Sequence, residues 1–113
     1  MKGMNEMKRE ELVGLKDAVG GLQEFVKCFS GVELPYFYRF LDYMKNNIET
    51  FLRVGGRDYC ALEEVLYRNW YEANNSWIGI STFRVSEEVC EESIEIYYQY
   101  ALLVKQVAEY FAD

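Results

Sequence analysis

The chain has 113 residues, of which 50% are hydrophobic and 17% aromatic, a length and composition that suit one domain folding around a single core. We therefore predict one helical domain spanning residues 1–113. The formal net charge of −7 disfavours nonspecific binding to nucleic acid or to an anionic membrane, because clustered Lys and Arg bind those polyanions. Since the sequence shows neither a membrane-spanning apolar run nor the apolar core of a signal peptide, we expect a cytoplasmic protein.

The absence of histidine is the strongest evidence against catalysis. Without it the chain lacks the usual general base, the Ser-His and Cys-His nucleophile pairs and the common zinc ligand sets. The Gly-Gly pairs at 20–21 and 55–56 match no glycine-rich phosphate-binding motif. Calcium sites take their ligands from a folded loop, and carboxylates on one straight helix face do not supply one. We predict a protein that is not an enzyme and that has no cofactor and no metal site.

The three cysteines are widely spaced and form no Cys-x-x-Cys pair; they are Cys28, Cys60 and Cys90. In a reducing compartment such residues behave as small core hydrophobes. We predict three reduced cysteines that are largely protected from solvent.

The first segment, about Asn5 to Phe29, has apolar residues at alternating spacings of three and four, which predicts a helix. The residues of this core stripe are Leu12, Leu15, Val19, Leu22, Val26 and Phe29. Gly14, Gly21 and Cys28 lie seven apart and give one flank of the stripe small side chains. Either this flank admits another helix at close range, or the Gly20-Gly21 pair weakens and kinks the helix.

Two further helices follow from the same spacing. The second begins at Pro35, stops at Gly55-Gly56, and has as its apolar stripe Phe37, Phe40, Leu41, Met44, Ile48, Phe51 and Leu52. The third has Asp58 as its N-cap and ends near Asn74. Its predicted core residues are Leu62, Val65, Leu66 and Trp70. The short loops predict that these three helices are antiparallel neighbours.

Residues 76–85 interrupt the helical pattern, because their β-branched and aromatic side chains suit an extended chain. One strand has no partner elsewhere in this sequence. The segment is therefore either an irregular connector that packs Trp77 and Phe83 onto the bundle, or a strand that pairs with a second copy of itself. We favour the connector, since proteins usually avoid an unpaired strand edge.

The last 28 residues, from Ser86 to Asp113, predict one long helix with Ser86 as its N-cap. They contain seven carboxylates and one cation, Lys105, and so hold six of the seven net negative charges. The predicted apolar face is about 180° wide, which calls for two neighbouring helices. Its residues are Val89, Cys90, Ile94, Ile96, Tyr97, Tyr100, Ala101, Leu103, Val104, Val107, Ala108 and Phe111. We predict an all-α fold, an antiparallel bundle of about four helices with an irregular or short β-like connector at 76–85.

The polar face of this last helix is the candidate site. At about 100° per residue its acidic residues share one arc with Tyr98 and Leu102. The predicted partner-binding residues are Glu88, Glu91, Glu92, Glu95, Tyr98, Leu102 and Glu109. An apolar centre with a charged rim is typical of a protein interface. The alternative is that the charge is a solvated face, helped by the helix dipole, and that the two apolar residues are singly exposed.

These features favour a small acidic protein-binding domain. In its most specific form the hypothesis is an inhibitor that occupies the basic nucleic-acid groove of a nuclease or similar enzyme, because a row of carboxylates presents charge much as a nucleic-acid backbone does. In composition alone the chain is similar to phage anti-defence inhibitors and to immunity proteins that neutralise nuclease toxins.

Two alternatives remain. In a helix-turn-helix regulator, Gly55-Gly56 joins the two helices, Arg53, Arg57 and Arg68 lie nearby, and residues 76–85 form a wing. The three arginines are diluted by neighbouring acids, which makes direct nucleic-acid binding the weaker hypothesis. The other alternative is a self-assembling structural bundle. Because residues 76–85, Tyr98 and Leu102 leave more apolar surface than one bundle covers, we also expect a homo-oligomer, most simply a homodimer.

Overall fold

A computed structural model describes residues 8–85 and 93–112 of the chain. Four α-helices account for most of this part: α1 Arg9–Phe29, α2 Tyr38–Arg53, α3 Tyr59–Ala73 and α4 Ser93–Ala108. Two short 3₁₀ turns, Ile80–Thr82 and Glu109–Phe111, complete it, and the described ranges contain no β-strand. The prediction of an all-α bundle of four helices is confirmed.

The core lies between α1, α2 and their neighbours. α1 packs against α2 on one side and α4 on the other, and α2 packs in turn against α3. Of the six residues predicted as the stripe of α1, Phe29 is half-buried. The other five are fully buried: Leu12, Leu15, Val19, Leu22 and Val26. Leu41, Met44 and Ile48 of α2 are equally buried. The three- and four-residue spacing therefore identified the seam that holds α1 to α2.

The turn between α2 and α3 ends one helix and starts the next. Gly55 has φ +68°, a left-handed conformation that glycine adopts without a Cβ penalty. The Gly56 N–H then donates to the Phe51 carbonyl at 2.8 Å, which satisfies one of the last carbonyls of α2. Asp58 caps α3 by accepting from the Ala61 N–H at 2.9 Å. Both predicted helix ends are confirmed, whereas Pro35 lies in a turn just before α2 and not inside it.

The prediction that Val65 of α3 lies in the core is wrong. Val65 is exposed, and the neighbouring Glu63 is only 1% exposed. The buried face of α3 is centred between Leu62 and Trp70, because α2 lies against one edge of the face and Phe111 stacks on Trp70 at the other. Glu63 falls inside that arc at about 100° per residue, and Val65 falls outside it.

Residues 76–85 form the irregular connector that the sequence predicted. Phe83 packs edge-on to Phe37 and at 4.9 Å from the ring of Tyr100. Trp77, expected to pack on the bundle, is instead 86% exposed. The turn that carries Trp77 points away from the core, because the Trp77 N–H bonds to the Asn75 side chain and Ile80 takes the buried position.

The last helix differs from its prediction at its end. α4 stops at Ala108, and the 3₁₀ turn Glu109–Phe111 follows, so the uninterrupted helix predicted to Asp113 is wrong there. A 3₁₀ turn advances about 120° per residue, and it brings Tyr110 towards α1 while Phe111 packs on α3. The predicted cap Ser86, together with Val89 and Cys90, lies outside the described residues.

Two residues placed in the core by the sequence are at the surface. Ile94 is 88% exposed, and Ala101 is exposed as well. Both lie about 100° or more from Tyr100, the buried centre of the α4 face, because α1 covers only the nearer part of the predicted apolar arc. Cys28 is also exposed and Cys60 only half-buried, so the prediction of protected cysteines is wrong for Cys28, although both thiols are free as predicted. No helix in the described ranges combines the length and apolarity needed to cross a membrane.

Candidate functional site

A groove between α1 and the end of α4 is lined by carboxylates; we call it the acidic groove. It has a volume of about 680 Å³ and is bounded by Glu10, Glu11, Gly14, Asp17, Ala18, Gln106, Glu109 and Tyr110. Four of these eight side chains are acidic and none is basic. The groove therefore carries a concentrated negative potential on its walls.

Gly14 of α1 allows the turn after α4 to approach and so shapes the groove. A Cβ atom on Gly14 would overlap the Tyr110 hydroxyl, whereas one on Gly21 would make an ordinary contact, 4.0 Å from Leu103. α1 also passes through Gly20 and Gly21 as a continuous helix. Of the two interpretations of these glycines, the structure supports close approach, and it does so at Gly14.

The acids of the groove come from two elements that are distant in sequence. Glu10 and Glu11 belong to the first turn of α1, where the helix dipole stabilises negative charge. Asp17 lies seven residues after Glu10 and so projects from the same side of α1. Glu109 approaches from the 3₁₀ turn after α4. No group of three or more His, Cys, Asp or Glu side chains in the described ranges is arranged to hold a metal ion.

The exposed face of α4 continues from this groove. Gln106 and Glu109, which line the groove, follow Leu102 by about one and two helical turns. Tyr98 is 65% and Leu102 43% exposed. Together with Ile94, Glu95, Ala101 and Lys105, all exposed, they form what we call the α4 ridge, on the side of the helix opposite the buried Tyr100.

The seven predicted site residues fall into two groups, those that the structure describes and those that lie outside the described residues. Glu95, Tyr98, Leu102 and Glu109 are exposed on α4 and the turn after it, as predicted. Glu88, Glu91 and Glu92 lie outside the described residues. Glu10, Glu11 and Asp17 were not among the predicted residues, because the charge of a single helix does not show which acids of another helix lie beside it. The signal was available, since Glu10 and Asp17 lie beside the small-residue flank at Gly14 that predicted a close neighbour.

Tyrosines on the inner side of α4 hold the connector against it. The Tyr100 hydroxyl donates to the Ile80 carbonyl at 2.8 Å, and the Val85 N–H donates to the Tyr97 hydroxyl at 2.7 Å. Burial raises the pKa of Tyr100 well above its usual value, and the neighbouring Tyr97 raises it further. Tyr100 therefore remains a neutral donor, and α4 presents its ridge from a fixed position.

Comparisons of this chain with protein-family models, with curated proteins and with solved structures gave no match.

Proposed function

We propose that this protein is a protein-binding domain whose acidic groove and α4 ridge engage a basic surface on a partner protein. The observation that supports the proposal is the meeting of four carboxylates in one groove, whose edge lies on the same helix as two exposed apolar side chains. Leu102 lies about one helical turn, and Tyr98 about two turns, before Gln106 at the edge of the groove. An apolar centre next to a charged rim is the arrangement that protein interfaces use.

The two parts of this surface have different roles in binding. Carboxylates on the walls of a groove attract a basic partner over several ångströms and so raise the association rate. Tyr98 and Leu102 act once contact is made, because burying them removes apolar surface from water and slows dissociation. The partner that fits best has clustered Lys and Arg around an apolar pocket.

The specific form of the proposal is inhibition of a nuclease or another nucleic-acid enzyme. Such enzymes bind a polyanion in a basic groove, and a surface that gathers carboxylates from α1 and from the turn after α4 offers the same charge. Inhibition would then be competitive with nucleic acid. Phage anti-defence inhibitors and immunity proteins of nuclease toxins, which share this composition, are the class of protein that we propose.

The experiment compares two triple variants with the same change in net charge. In the groove variant, Glu10→Gln, Asp17→Asn and Glu109→Gln remove three charges from the acidic groove. In the control variant, Glu33→Gln, Glu64→Gln and Glu72→Gln remove three exposed charges elsewhere. Proteins retained from native lysate by the immobilised wild type are identified by mass spectrometry, and the association and dissociation rates of the purified partner are then measured.

We expect the groove variant to lower the association rate by about tenfold or more at low salt, and the control variant to lower it much less. Exposed charges contribute little to stability, so both variants should keep the wild-type unfolding midpoint. Tyr98→Ala and Leu102→Ala should instead raise the dissociation rate. Equal effects of the two triple variants would show that only net charge matters and would reject the groove as the binding surface.

A further inference from the structure

The α4 ridge mixes exposed apolar side chains with Glu95 and Lys105, and no other helix in the described part of the chain covers it. α4 packs on α1, and its opposite side exposes Ile94, Tyr98 and Leu102 to the extents given above. These three side chains lie outside the side of α4 that α1 covers, so their burial requires a second neighbouring helix. A helix with matching apolar and charged residues would bury them.

We propose that the second neighbour is α4 of another copy of this chain, packed antiparallel across a two-fold axis near residue 100. In that register residue i faces residue 200 − i of the partner copy. Tyr98 of each copy then packs on Leu102 of the other, and the contact occurs twice because the interface is isologous.

Charge complementarity favours this register. Glu95 at one end of the ridge faces Lys105 of the second copy at the other end, so that two ion pairs flank the Tyr98–Leu102 contacts. Within one chain these two residues are ten positions apart, about 15 Å along the helix, and cannot pair. The lone cation after Ser86 therefore has a complementary carboxylate in an antiparallel copy.

Repulsion between two chains of net charge −7 opposes the pairing. At about 0.15 M salt this repulsion is screened beyond roughly 8 Å, whereas the facing Glu95 and Lys105 side chains interact at shorter range. The facing positions that define the register, 95–105, all lie within α4.

Pairing of two copies through the α4 ridge does not depend on the binding of a basic partner protein. Both use Tyr98 and Leu102, so a partner protein would have to displace the second copy. Dimerisation is measured on the protein alone, which separates failure of this proposal from failure of the other.

The test is sedimentation equilibrium of the full chain with charge-reversal variants at about 0.15 M salt. We expect the wild type to reach twice the monomer mass at tens of micromolar. Glu95→Lys places two lysines on each ridge, and Lys105→Glu places two glutamates there. Each variant alone should raise the dimer dissociation constant about tenfold or more, because like charges then face each other.

Mixing the two variants is the decisive measurement. In a mixed dimer both facing pairs are again of opposite charge, so the equimolar mixture should associate as tightly as the wild type, and so should the double variant Glu95→Lys/Lys105→Glu. Tyr98→Ser should weaken association in every combination. A wild type that remains monomeric, or a dimer in which neither single variant changes the dissociation constant, would overturn the proposal.

Discussion

At the residue scale, the absence of a side chain at Gly14 decides how closely the end of α4 approaches α1. The Tyr110 hydroxyl occupies the space that a Cβ at Gly14 would need. Gly20, six residues further along the same helix, has nothing within 4 Å of the position that its own Cβ would take. The two glycines have the same helical backbone and differ in what they face.

That difference predicts that alanine at Gly14 and alanine at Gly20 change the free energy of unfolding in opposite directions. Gly20→Ala should raise the free energy of unfolding by up to about 1 kcal/mol through helix propensity. Gly14→Ala should lower it, because displacing Tyr110 costs about 1–3 kcal/mol. In a Tyr110→Phe background, which lacks the hydroxyl, Gly14→Ala should become less costly or stabilising. Urea unfolding of the four proteins of this cycle measures the coupling, and purely additive changes would contradict the contact.

Residue-scale features show where sequence reasoning succeeded and where it could not. The small-residue flank at Gly14 and Gly21 was predicted because spacing fixes which residues share a side of one helix. Spacing alone could not predict that Glu63, and not Val65, lies in the core. Periodicity gives the buried arc only relative to the helix itself, and the neighbours set the centre of the arc. Exposure of Trp77 and Cys28 likewise depends on tertiary packing.

At the scale of elements, Tyr100 joins the connector to α4. Its hydroxyl reaches the Ile80 carbonyl across twenty residues of sequence, and its ring packs on Phe83. Tyr100→Phe keeps the ring but removes one of two donors to that carbonyl, which still accepts from the Phe83 N–H at 3.3 Å. We expect a loss of about 0.5–1.5 kcal/mol in the free energy of unfolding, whereas Tyr98→Phe on the exposed ridge should change it little.

The raised pKa of Tyr100 adds a pH dependence with a defined sign. In the unfolded chain the phenol ionises near pH 10, while burial keeps the folded form neutral to higher pH. The stabilising contribution is therefore complete below about pH 10 and is lost as the pH rises above it. Wild type should lose stability between about pH 10 and 11 more steeply than Tyr100→Phe. Parallel urea midpoints for the two proteins across that range would contradict this assignment.

The candidate site was predictable at the element scale only in part. Charge counting placed most of the net charge after Ser86, and helical geometry placed Tyr98, Leu102 and Glu95 on one exposed face. Glu109 was assigned to the same face, and its contribution to a groove with α1 was not foreseen. A groove is a property of two packed elements, and the sequence of either helix does not specify which acids of the other will face it.

At the scale of the whole molecule, Phe111 closes the bundle between α4 and α3. Its ring stacks on Trp70 at 5.8 Å and meets Tyr67 edge-on at 6.1 Å. Trp70 and Phe111 are both buried, although the 3₁₀ turn that carries Phe111 lies at the end of the described chain. Since α1 already contacts both α2 and α4, this aromatic contact joins the outer helices of the bundle.

Phe111→Ala should therefore destabilise the whole molecule, by about 3–5 kcal/mol, because it leaves a cavity against Trp70. Trp77→Phe provides the background for the measurement, since Trp77 is exposed and its replacement leaves Trp70 as the only tryptophan. In that background Trp70 fluorescence should shift to longer wavelength in Phe111→Ala, as water reaches the indole. Phe111→Leu, which fills most of the volume, should show a smaller loss and a smaller shift. Unchanged emission and an unchanged unfolding midpoint in Phe111→Ala would show that the contact between Phe111 and Trp70 does not hold the outer helices together.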